Sequence, residues 1–245
     1  MSEPVLQGQQ AGQEIGPIVT GPPARRPERV RLEGRHIHVV PFEVDQHADA
    51  LYAASHGPGR AQLWTYLFPE PYPDLDAFRT AYTQAAALQD PLLFALVSAD
   101  TGTMLGHATY MRIEPVHRVI EVGNILYTPA LQRTPAATEA MYLMARHVFE
   151  DLGYRRYEWK CNALNAPSQA AARRLGFTFE GVFRQHMIVK GRNRDTAWFS
   201  LLDSEWPLAK RAFETWLAPD NFDAEGRQKE QLDILRARLG GKRSI

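Results

Sequence analysis

The chain of 245 residues is 44% apolar, which is ordinary for a globular protein, so we expect one large domain or one domain with extensions. Its 28 basic and 28 acidic residues cancel, and this balance gives no support for a general binder of nucleic acid or of anionic membranes. The single cysteine, Cys161, excludes an internal disulfide framework and a cysteine-rich zinc site. Because the sequence also shows no apolar signal segment and no membrane-spanning run, we expect a cytoplasmic protein.

The first part of the chain has little pattern until a short strand begins. Residues 1–28 are rich in Gly, Pro and Gln and have almost no apolar periodicity, which predicts a disordered leader. Residues 35–41 (RHIHVVP) predict a strand that ends at Pro41. His36 and His38 share one face of it, a spacing that can bind a metal ion. No carboxylate or cysteine nearby supports such a site, so we interpret them as surface histidines and predict no metal.

Two predicted helices flank an aromatic segment. The first is expected over Asp45–Ser55, and Asp74 is expected to cap the second over Leu75–Gln89. Between them, residues 62–73 (QLWTYLFPEPYP) are dense in aromatic residues and proline and follow no period. Such a segment either fills the core or lines a pocket. We predict that it lines the substrate pocket through four residues: Trp64, Tyr66, Phe68 and Tyr72.

A strand, a short loop and a helix at residues 118–153 form the unit around which the other elements are arranged. Residues 119–127 are β-branched and apolar with Gly123 in the middle, which is typical of a strand that carries a bulge or approaches another backbone closely. Thr134 can cap the following helix, and Pro135 stands at its first position, where the missing N–H costs nothing. A helix start of this kind attracts an anion, usually phosphate, although many such units bind nothing. The N–H groups expected to be unpaired there belong to Ala136, Ala137 and Thr138.

The other elements complete a mixed α/β pattern. Further strands are predicted at residues 92–98, 104–113, 154–161, 178–189 and 196–202, and further helices at 165–175, 204–217 and 223–238. Helices that interrupt a mainly antiparallel run predict a mixed α/β fold, a seven-stranded sheet with helices on both faces. We expect a leader over 1–28, a domain over 29–203 and a helical extension over 204–245. The site should lie at the strand ends beside the central helix.

Four stretches at the joints of these elements are informative in their order and spacing. They are EVGNILY (121–127), QRTPAATE (132–139), NAPS (165–168) with RLGF (174–177), and FEGVFR (179–184). Together they resemble the GNAT N-acetyltransferase superfamily, in particular its RimJ/RimL-like branch, over about residues 35–202. One departure is Pro135, which stands where the family loop usually has its first glycine. Since proline removes an N–H that begins a helix, the phosphate cradle should survive with fewer donors.

The resemblance implies a GNAT-like fold and acetyl-CoA, that is coenzyme A as co-substrate. The backbone of the strand would hydrogen-bond the pantetheine arm, the loop and helix start would hold the pyrophosphate, and two asparagines would reach the pantetheine region. Arg133 would add a side-chain charge to this set. The cofactor-binding residues implied in this way are Ile125, Leu126, Tyr127, Gln132, Arg133, Thr134, Ala136, Ala137, Thr138, Asn162 and Asn165.

Acetyl transfer to an amine requires a neutral amine and a proton for the leaving thiolate. Deprotonating a lysine near pH 7 costs roughly 4–5 kcal/mol and an α-amino group only about 1 kcal/mol, so a lysine-like acceptor needs a positioned carboxylate more than a protein N-terminus does. Glu121 is the preferred base, because it precedes Gly123 in the strand beside the expected acetyl site. The alternatives are that it is a structural partner of Arg118 or Lys160, or that Glu180 or a water chain takes the proton.

The expected proton donor to coenzyme A is Ser168, which in RimL-like enzymes looks like the group that protonates the thiolate. The alternative is a serine that only bonds its own helix start, and Tyr127 is a further possible donor. His107 has suitable chemistry but is better explained as a core histidine. Lys190, Arg192 and Arg194 on the last hairpin could steer an acidic substrate, although charges on a turn are usually just solvated.

These residues favour an N-acetyltransferase that moves an acetyl group from acetyl-CoA to a primary amine. The expected partner is a protein N-terminus or a small-molecule amine, without nucleic acid or membrane, and the chain would be a monomer or homodimer. The alternative is a non-catalytic acyl-CoA sensor or interaction module, which Pro135 and the charged C-terminal helix suggest. A nucleotide-binding protein has no support, since no phosphate-loop or dinucleotide fingerprint is present.

Overall fold

An eight-stranded sheet organises the part of the chain described by this computed structural model, residues 9–10 and 13–241. The strand order is β3-β4-β5-β6-β7-β8-β10-β9, and every pair is antiparallel except β7 with β8. The strands are β1 (Gln9–Gln10) and β2 (Gln13–Glu14), which pair only with each other, and β3 (Leu32–Glu33), β4 (Ile37–Pro41), β5 (Leu92–Ser98), β6 (Met104–Glu114), β7 (Val119–Tyr127), β8 (Arg156–Asn162), β9 (Thr178–Val189) and β10 (Arg192–Leu202). The predicted mixed fold is confirmed, with β3 as a strand that the sequence did not indicate.

Six α-helices cover the two faces of this sheet. They are α1 (Val44–Ser55), α2 (Leu75–Ala87), α3 (Pro135–Arg146), α4 (Ala166–Leu175), α5 (Trp206–Leu217) and α6 (Leu232–Leu239), with short 3-10 turns at Ala61–Trp64 and Pro219–Asn221 and a π turn at His147–Asp151 that continues α3. Among residues 9–10 and 13–241, none of the helices has the length and apolar composition that a bilayer crossing requires.

The side chains of β5 alternate between two apolar clusters, one on each face of the sheet. Leu92, Phe94 and Leu96 belong to the cluster that packs against α3, α4, α5 and α6. Leu93 and Ala95 belong to the cluster under α1, α2 and the aromatic segment. Because successive strand residues point to opposite faces, the all-apolar sequence of β5 follows from its central place in the sheet.

The helix α3 begins as its sequence predicts and is anchored by a carboxylate. Thr134 is its N-cap and Pro135 its first residue. One turn later, Glu139 is buried and accepts hydrogen bonds from the backbone N–H groups of Arg35, His36 and Ile37, at 3.0, 2.6 and 3.2 Å. This carboxylate joins α3 to the start of β4, and nothing local in the sequence indicated it.

Replacing this buried carboxylate should destabilise the fold. Glu139→Ala leaves one buried and two partly buried N–H groups without their acceptor, and bonds to a charged group are worth about 1.5–3 kcal/mol each at most. We expect the free energy of unfolding to fall by about 3 kcal/mol in urea denaturation. The exposed Glu225 is the control, and Glu225→Ala should cost less than about 0.5 kcal/mol. Equal losses in the two variants would contradict this account of Glu139.

The C-terminal region does not form the long helix that the sequence predicts. Residues 223–230 form a turn, in which the Asp223 carboxylate accepts N–H groups from Glu225 and Arg227 and pairs with the Arg227 guanidinium. The predicted helix over 223–238 is therefore wrong, and α6 covers only Leu232–Leu239. Local hydrogen bonds from an Asx side chain compete with helix formation, which explains the late start.

The C-terminal extension packs on the same face of the sheet as α3 and α4. Trp206 and Phe213 of α5 stack near Tyr142 of α3, with ring centroids 6.2 and 5.6 Å away. In α6, Leu232 and Leu235 are buried in the same cluster. The proposed boundaries 29–203 and 204–245 remain a prediction.

Part of the predicted leader lies against the sheet domain. Ala24 is buried, its N–H donates to the Pro115 carbonyl, and the N–H of Arg25 donates to the Leu152 carbonyl. Residues 1–8 and 11–12 lie outside the described residues. The stretch around Ala24 therefore differs from the disordered leader expected over 1–28, because a short apolar contact and two backbone bonds hold it without any periodic pattern.

Candidate active site

The strands β7 and β8 separate in the middle of the sheet. They are in register from Val119 opposite Arg156 to Val122 opposite Trp159, and no pair follows. On the other side of β7, one extra residue lies between the pairs Thr109–Gly123 and His107–Leu126. Asn124 has φ of 49° there, so the predicted bulge is present one residue after Gly123. The bulge re-aims β7 and opens a gap beside its second half.

Gly123 is required by a close approach rather than by its dihedral angles. A Cβ on this residue would lie 2.7 Å from Sδ of Met111 and 3.2 Å from Oε1 of Glu121. A second bulge on the partner strand β6 places Arg112 at φ of 50°. Both irregularities turn polar side chains toward the gap between β7 and β8.

A cavity of about 450 Å³ occupies this gap. Its walls come from β7, β8, the start of α4, the aromatic segment and the last hairpin. Six predicted cofactor residues line it: Ile125, Leu126, Tyr127, Gln132, Asn162 and Asn165. The other predicted residues that line it are Glu121, Ser168, Tyr66 and Phe68. Residues that the sequence analysis did not assign to it are Met111, Arg112, Lys160, Cys161, His186, Met187 and Thr196.

The start of α3 lies at one end of this gap, and the other predicted cofactor residues belong to it instead of the cavity wall: Arg133, Thr134, Ala136, Ala137 and Thr138. The Thr134 hydroxyl accepts the N–H of Ala137 at 3.2 Å and donates to the Leu131 carbonyl at 2.7 Å. The prediction that the Ala137 N–H is bare is therefore wrong, because the cap residue satisfies it. Thr138 is buried, and its hydroxyl accepts from the Arg174 guanidinium.

Unpaired backbone N–H groups are present in the loop before α3 and at the start of the helix. Within the described residues, the N–H groups of Arg133, Thr134 and Ala136 donate to no other group. Arg133 has φ of 62°, and successive N–H groups around a left-handed residue form a concavity that binds anions. The anion site that the helix start predicts is thus shifted toward the loop, with the helix dipole still behind it.

Glu121 is a buried carboxylate that lines the cavity. It is 4% exposed, and its Oε2 lies 2.9 Å from Nζ of Lys160 and 3.3 Å from the Arg112 guanidinium. Burial raises the pKa of the Glu121 carboxyl, and the two cations oppose that rise. Of the two structural partners considered from the sequence, Lys160 is present and Arg118 is not. A carboxylate with a raised pKa at a cavity wall is suited to proton transfer.

Lys160 bridges two carboxylates across β7 and β8. Glu121 and Glu158 are neighbours in the parallel pairing, and Nζ of Lys160 lies 2.6 Å from Glu158 as well as 2.9 Å from Glu121. The same Nζ lies 3.8 Å from the centroid of the Trp198 ring. The lysine side chain is only 4% exposed, so the two carboxylates are held close together by a buried cation.

The other side chains considered for proton transfer are less suitable for it than Glu121. Glu180 lies outside the cavity wall, and hydrogen bonds from Arg156, followed by Ser200, lower its pKa to about 2. His107 is a core residue whose Nε2 lies 2.9 Å from the Tyr82 hydroxyl, and burial lowers its pKa to about 4. The Tyr127 hydroxyl donates to the Ala137 carbonyl at 3.3 Å, and burial raises its pKa.

Ser168 lines the same cavity as Glu121 and belongs to the first turn of α4. Its Oγ accepts a hydrogen bond from Nε1 of Trp159 at 3.0 Å, while Oδ1 of Asn165 accepts the N–H of Ser168 at 3.1 Å. The asparagine therefore caps α4, and the serine hydroxyl is not used for that purpose. With the indole donating to Oγ, the Ser168 hydroxyl keeps its own proton to donate, and the Cys161 sulfur in the same cavity wall is a partner for it.

The aromatic segment divides between core and cavity. Tyr66 and Phe68 line the cavity, and the Tyr66 hydroxyl donates across its mouth to the Leu164 carbonyl at 3.1 Å. Trp64 is 1% exposed and donates its Nε1–H to the Ser55 carbonyl, and Tyr72 packs against the same core cluster. The assignment of Trp64 and Tyr72 to the substrate pocket is corrected, because both rings fill the layer under α1 and α2.

Within the described ranges, no group of three or more histidine, cysteine, aspartate or glutamate side chains could hold a metal ion. Cys161 is buried in the cavity wall, and burial raises the pKa of its thiol.

Comparison with known proteins agrees with this geometry. The sequence model of the acetyltransferase (GNAT) domain matches residues 36–178. The structure of a GCN5-related N-acetyltransferase from Brucella melitensis has a TM-score of 0.86 and 49% identity, and the match covers 88% of this chain and 98% of that one. An acetyltransferase described as probable, from Chromobacterium violaceum ATCC 12472, has a TM-score of 0.74 and 38% identity over 81% of this chain and 100% of that one.

One relative has a more specific name. The Bacillus subtilis (strain 168) protein named "Putative ribosomal N-acetyltransferase YdaF" is 26% identical over 129 residues, which are 53% of this chain and 67% of that protein. The family match spans more than half of the sequence and reaches from β4 to the start of β9, so it includes the parts of β7, β8 and α4 that line the cavity. The chain therefore belongs to the GNAT acetyltransferase family.

Proposed function

We propose that this protein transfers an acetyl group from acetyl-CoA to a primary amine, either the α-amino group of a protein N-terminus or a small-molecule amine. The observation that carries the proposal is the separation of β7 from β8 after Val122, with Glu121 and Ser168 both in the lining of the resulting cavity. The family supports acyl transfer, and the name of YdaF, a putative ribosomal N-acetyltransferase, favours a protein among the acceptors.

The residues present fit acetyl-CoA on two observations. The second half of β7 has no neighbour on the β8 side, so its backbone is available to an extended pantetheine arm in the manner of an added strand. The N–H groups of Arg133, Thr134 and Ala136 are free of partners among the described residues and suit a diphosphate. When bound, acetyl-CoA supplies the acetyl group as a thioester.

The chain's own residues would then move two protons. Glu121 accepts the proton that the acceptor nitrogen loses as it bonds to the acetyl carbon, directly or through one water molecule. Ser168 gives its hydroxyl proton to the sulfur as the carbon–sulfur bond breaks, and water returns to Ser168 the proton that Glu121 took, so that both groups are restored. Tyr66 and Phe68 shape the side from which the acceptor enters.

The non-catalytic alternative loses its structural support. It rested on the charged C-terminal helix and on Pro135. Residues 223–230 form a turn instead, Leu232 and Leu235 of α6 are buried, and N–H groups on both sides of Pro135 are free of partners among the described residues. In α6, Arg236 donates to the carbonyls of Arg173 and Arg174 at the end of α4, so this helix serves the domain itself.

The proposed activity is tested with the full chain, acetyl-CoA and two acceptor panels, free amines and peptides with unblocked N-termini. We expect thiol release that depends on the acceptor and a mass increase of one acetyl group on the acceptor. Peptides whose N-termini are already blocked are the matched control. Heat of coenzyme A binding in a calorimeter together with no acetylated product across both panels would overturn the proposal, and so would the absence of coenzyme A binding.

Removal of the Ser168 hydroxyl should slow the reaction without weakening cofactor binding. We expect Ser168→Ala to lower kcat about tenfold, since a positioned acid contributes that much or more, and to leave the Kd of coenzyme A within about twofold. The assay is the same thiol release at saturating acetyl-CoA. A tenfold weaker Kd with unchanged kcat would assign Ser168 to binding instead.

A further inference from the structure

Arg194 is a buried cation in the wall of the cavity without a protein partner. Its side chain extends from β10, and the residue is 8% exposed. Its Nε makes no hydrogen bond, and among residues 9–10 and 13–241 no carboxylate forms an ion pair with its guanidinium. The Phe68 ring, whose centroid lies 5.2 Å from Cζ, favours its charge, and so does the negative charge of Glu121, which forms no ion pair with it.

A buried charge is costly unless it is paired, and other cations of this region are paired. Arg112 and Lys160 contact Glu121, Lys160 also contacts Glu158, and Arg156 contacts both Glu158 and Glu180. These three cations and three carboxylates neutralise one another along the sheet. Arg194 is left over, which gives the cavity wall an excess of one positive charge.

A titratable neighbour of Arg194 adds no charge to this excess. His186 also lines the cavity, and partial burial together with the cations Arg112, Arg194 and Lys160 lowers its pKa. Its Nδ1 lies 3.0 Å from the Thr196 hydroxyl. The imidazole is therefore neutral near pH 7 and adds no second charge, so one negative charge on a ligand completes the site.

We propose that Arg194 binds a carboxylate of the acceptor, so that the preferred substrate is a primary amine that carries a carboxylate near the amine. This inference rests on the proposed function and adds the class of acceptor. A single excess charge matches a carboxylate better than a phosphate, which carries up to two negative charges and would lie beside Glu121. The guanidinium edge offers a fork of donors that fits the two carboxylate oxygens.

Such an acceptor can be a free amino acid or a peptide with an acidic residue near its N-terminus. Both present a primary amine and a carboxylate at short separation. In both cases the charged group would occupy Arg194 while the amine lies toward Glu121, which shares the cavity wall with it. A site that hydrogen-bonds a charged group rejects the analogue that lacks it, because the buried cation is then unpaired.

The test compares matched carboxylate and amide acceptors in two arms. One arm uses C-terminally amidated peptides with aspartate or asparagine at the second position, and the other uses glutamate and its diamide, which carries no carboxylate. We expect kcat/KM to favour the carboxylate at least about tenfold in one arm, and Arg194→Gln to reduce that ratio to within about twofold of one. The exposed Arg192 lies on the same hairpin, and Arg192→Gln should leave the ratio unchanged.

Binding of the acetylated products gives a second readout that needs no turnover. Calorimetry in the presence of coenzyme A should show tighter binding of the N-acetylated acidic peptide, or of N-acetylglutamate, than of the matching amide, and Arg194→Gln should remove the difference. If Arg194→Gln fails to fold, Arg194→Lys keeps the charge, loses the fork and should retain part of the preference.

The possible outcomes separate the two proposals. The role of Arg194 would be overturned if the natural protein used carboxylate and amide acceptors equally, or if the preference for carboxylates survived in Arg194→Gln. Either result would leave acetyl transfer intact. The proposed function would be overturned if no acceptor were acetylated. In that case, the role of Arg194 would still be decided by whether the acidic product binds more tightly than the matching amide. The arm that shows the preference identifies the source of the carboxylate.

Discussion

Glu121→Gln is expected to lower kcat/KM about 100-fold near pH 6.5 and by a smaller factor near pH 8.5. The amide keeps the size of the side chain but cannot accept a proton. The natural protein can use its base wherever Glu121 is ionised, even while most of the acceptor amine is still protonated. In the variant, only the fraction of amine that is already neutral reacts, and this fraction grows with pH toward the amine's own pKa.

The sign of the pH effect follows from the pKa of the carboxyl group. Burial raises the pKa of Glu121 above its usual value, so the acidic limb of the kcat/KM profile should lie above that value in the natural protein. Below this limb Glu121 is protonated and inactive as a base. In Glu121→Gln the limb should vanish, and the rate should instead rise with a single dependence on ionisation of the acceptor.

Glu180→Gln is the matched control, because Glu180 is held by Arg156 and Ser200 outside the cavity wall. Its pH profile should follow that of the natural protein, and calorimetry should give the same Kd for coenzyme A in both variants. A profile of Glu121→Gln that keeps its acidic limb would remove Glu121 from the role of base and leave a water chain as the alternative.

Local patterns in the sequence predicted much of the fold. The bounds of β5, β7 and β9 match the predicted strands, since apolar runs and turn residues mark both ends of each. The cap at Thr134 and the left-handed residue Gly176, with φ of 106°, were likewise visible in the sequence. Each of these features depends only on neighbours within a few residues.

The features that the sequence analysis left open or missed depend on contacts between distant segments. Whether Lys160 meets Glu121 is decided by the register of β7 against β8, which the intervening helix separates in the chain. In the same way, Trp64 was placed in the pocket because an irregular aromatic segment does not reveal which rings turn inward. Arg194 was recognised only as one charge on a hairpin, and the lack of a partner that makes it informative is a property of the assembled sheet.

Lys160→Met is expected to lower the free energy of unfolding by about 3–5 kcal/mol near pH 8, the largest stability effect that we predict. Methionine replaces the stem of the lysine but not its charge. Glu121 and Glu158 would then lie side by side in the sheet without the cation that contacts both, at 2.9 and 2.6 Å. Arg112 and Arg156 remain, one for each carboxylate, but neither bridges the pair.

The loss should shrink as the pH is lowered toward about 5.5. Lys160 is the main group that opposes the rise in the pKa of Glu121, so its removal raises that pKa further. A carboxyl whose pKa is higher in the folded state than in the unfolded state binds its proton more tightly when folded. Its contribution to stability is therefore greatest at low pH and falls as the pH rises through the window between the two pKa values. Protonation at low pH thus relieves the unpaired charge in the variant.

Urea denaturation at the two pH values measures this difference, with Lys210→Met as the control. Lys210 contacts Glu150 at 2.8 Å near the protein surface, so its loss should cost less than about 1 kcal/mol at either pH. A loss in Lys160→Met that is small or independent of pH would show that the two carboxylates do not need the lysine. It would also weaken the case for Glu121 as the base, because the same buried pairing that makes Lys160 necessary for stability keeps Glu121 ionised at neutral pH. Stability and the acidic limb of the rate profile should therefore change together in this variant, with the limb displaced to higher pH.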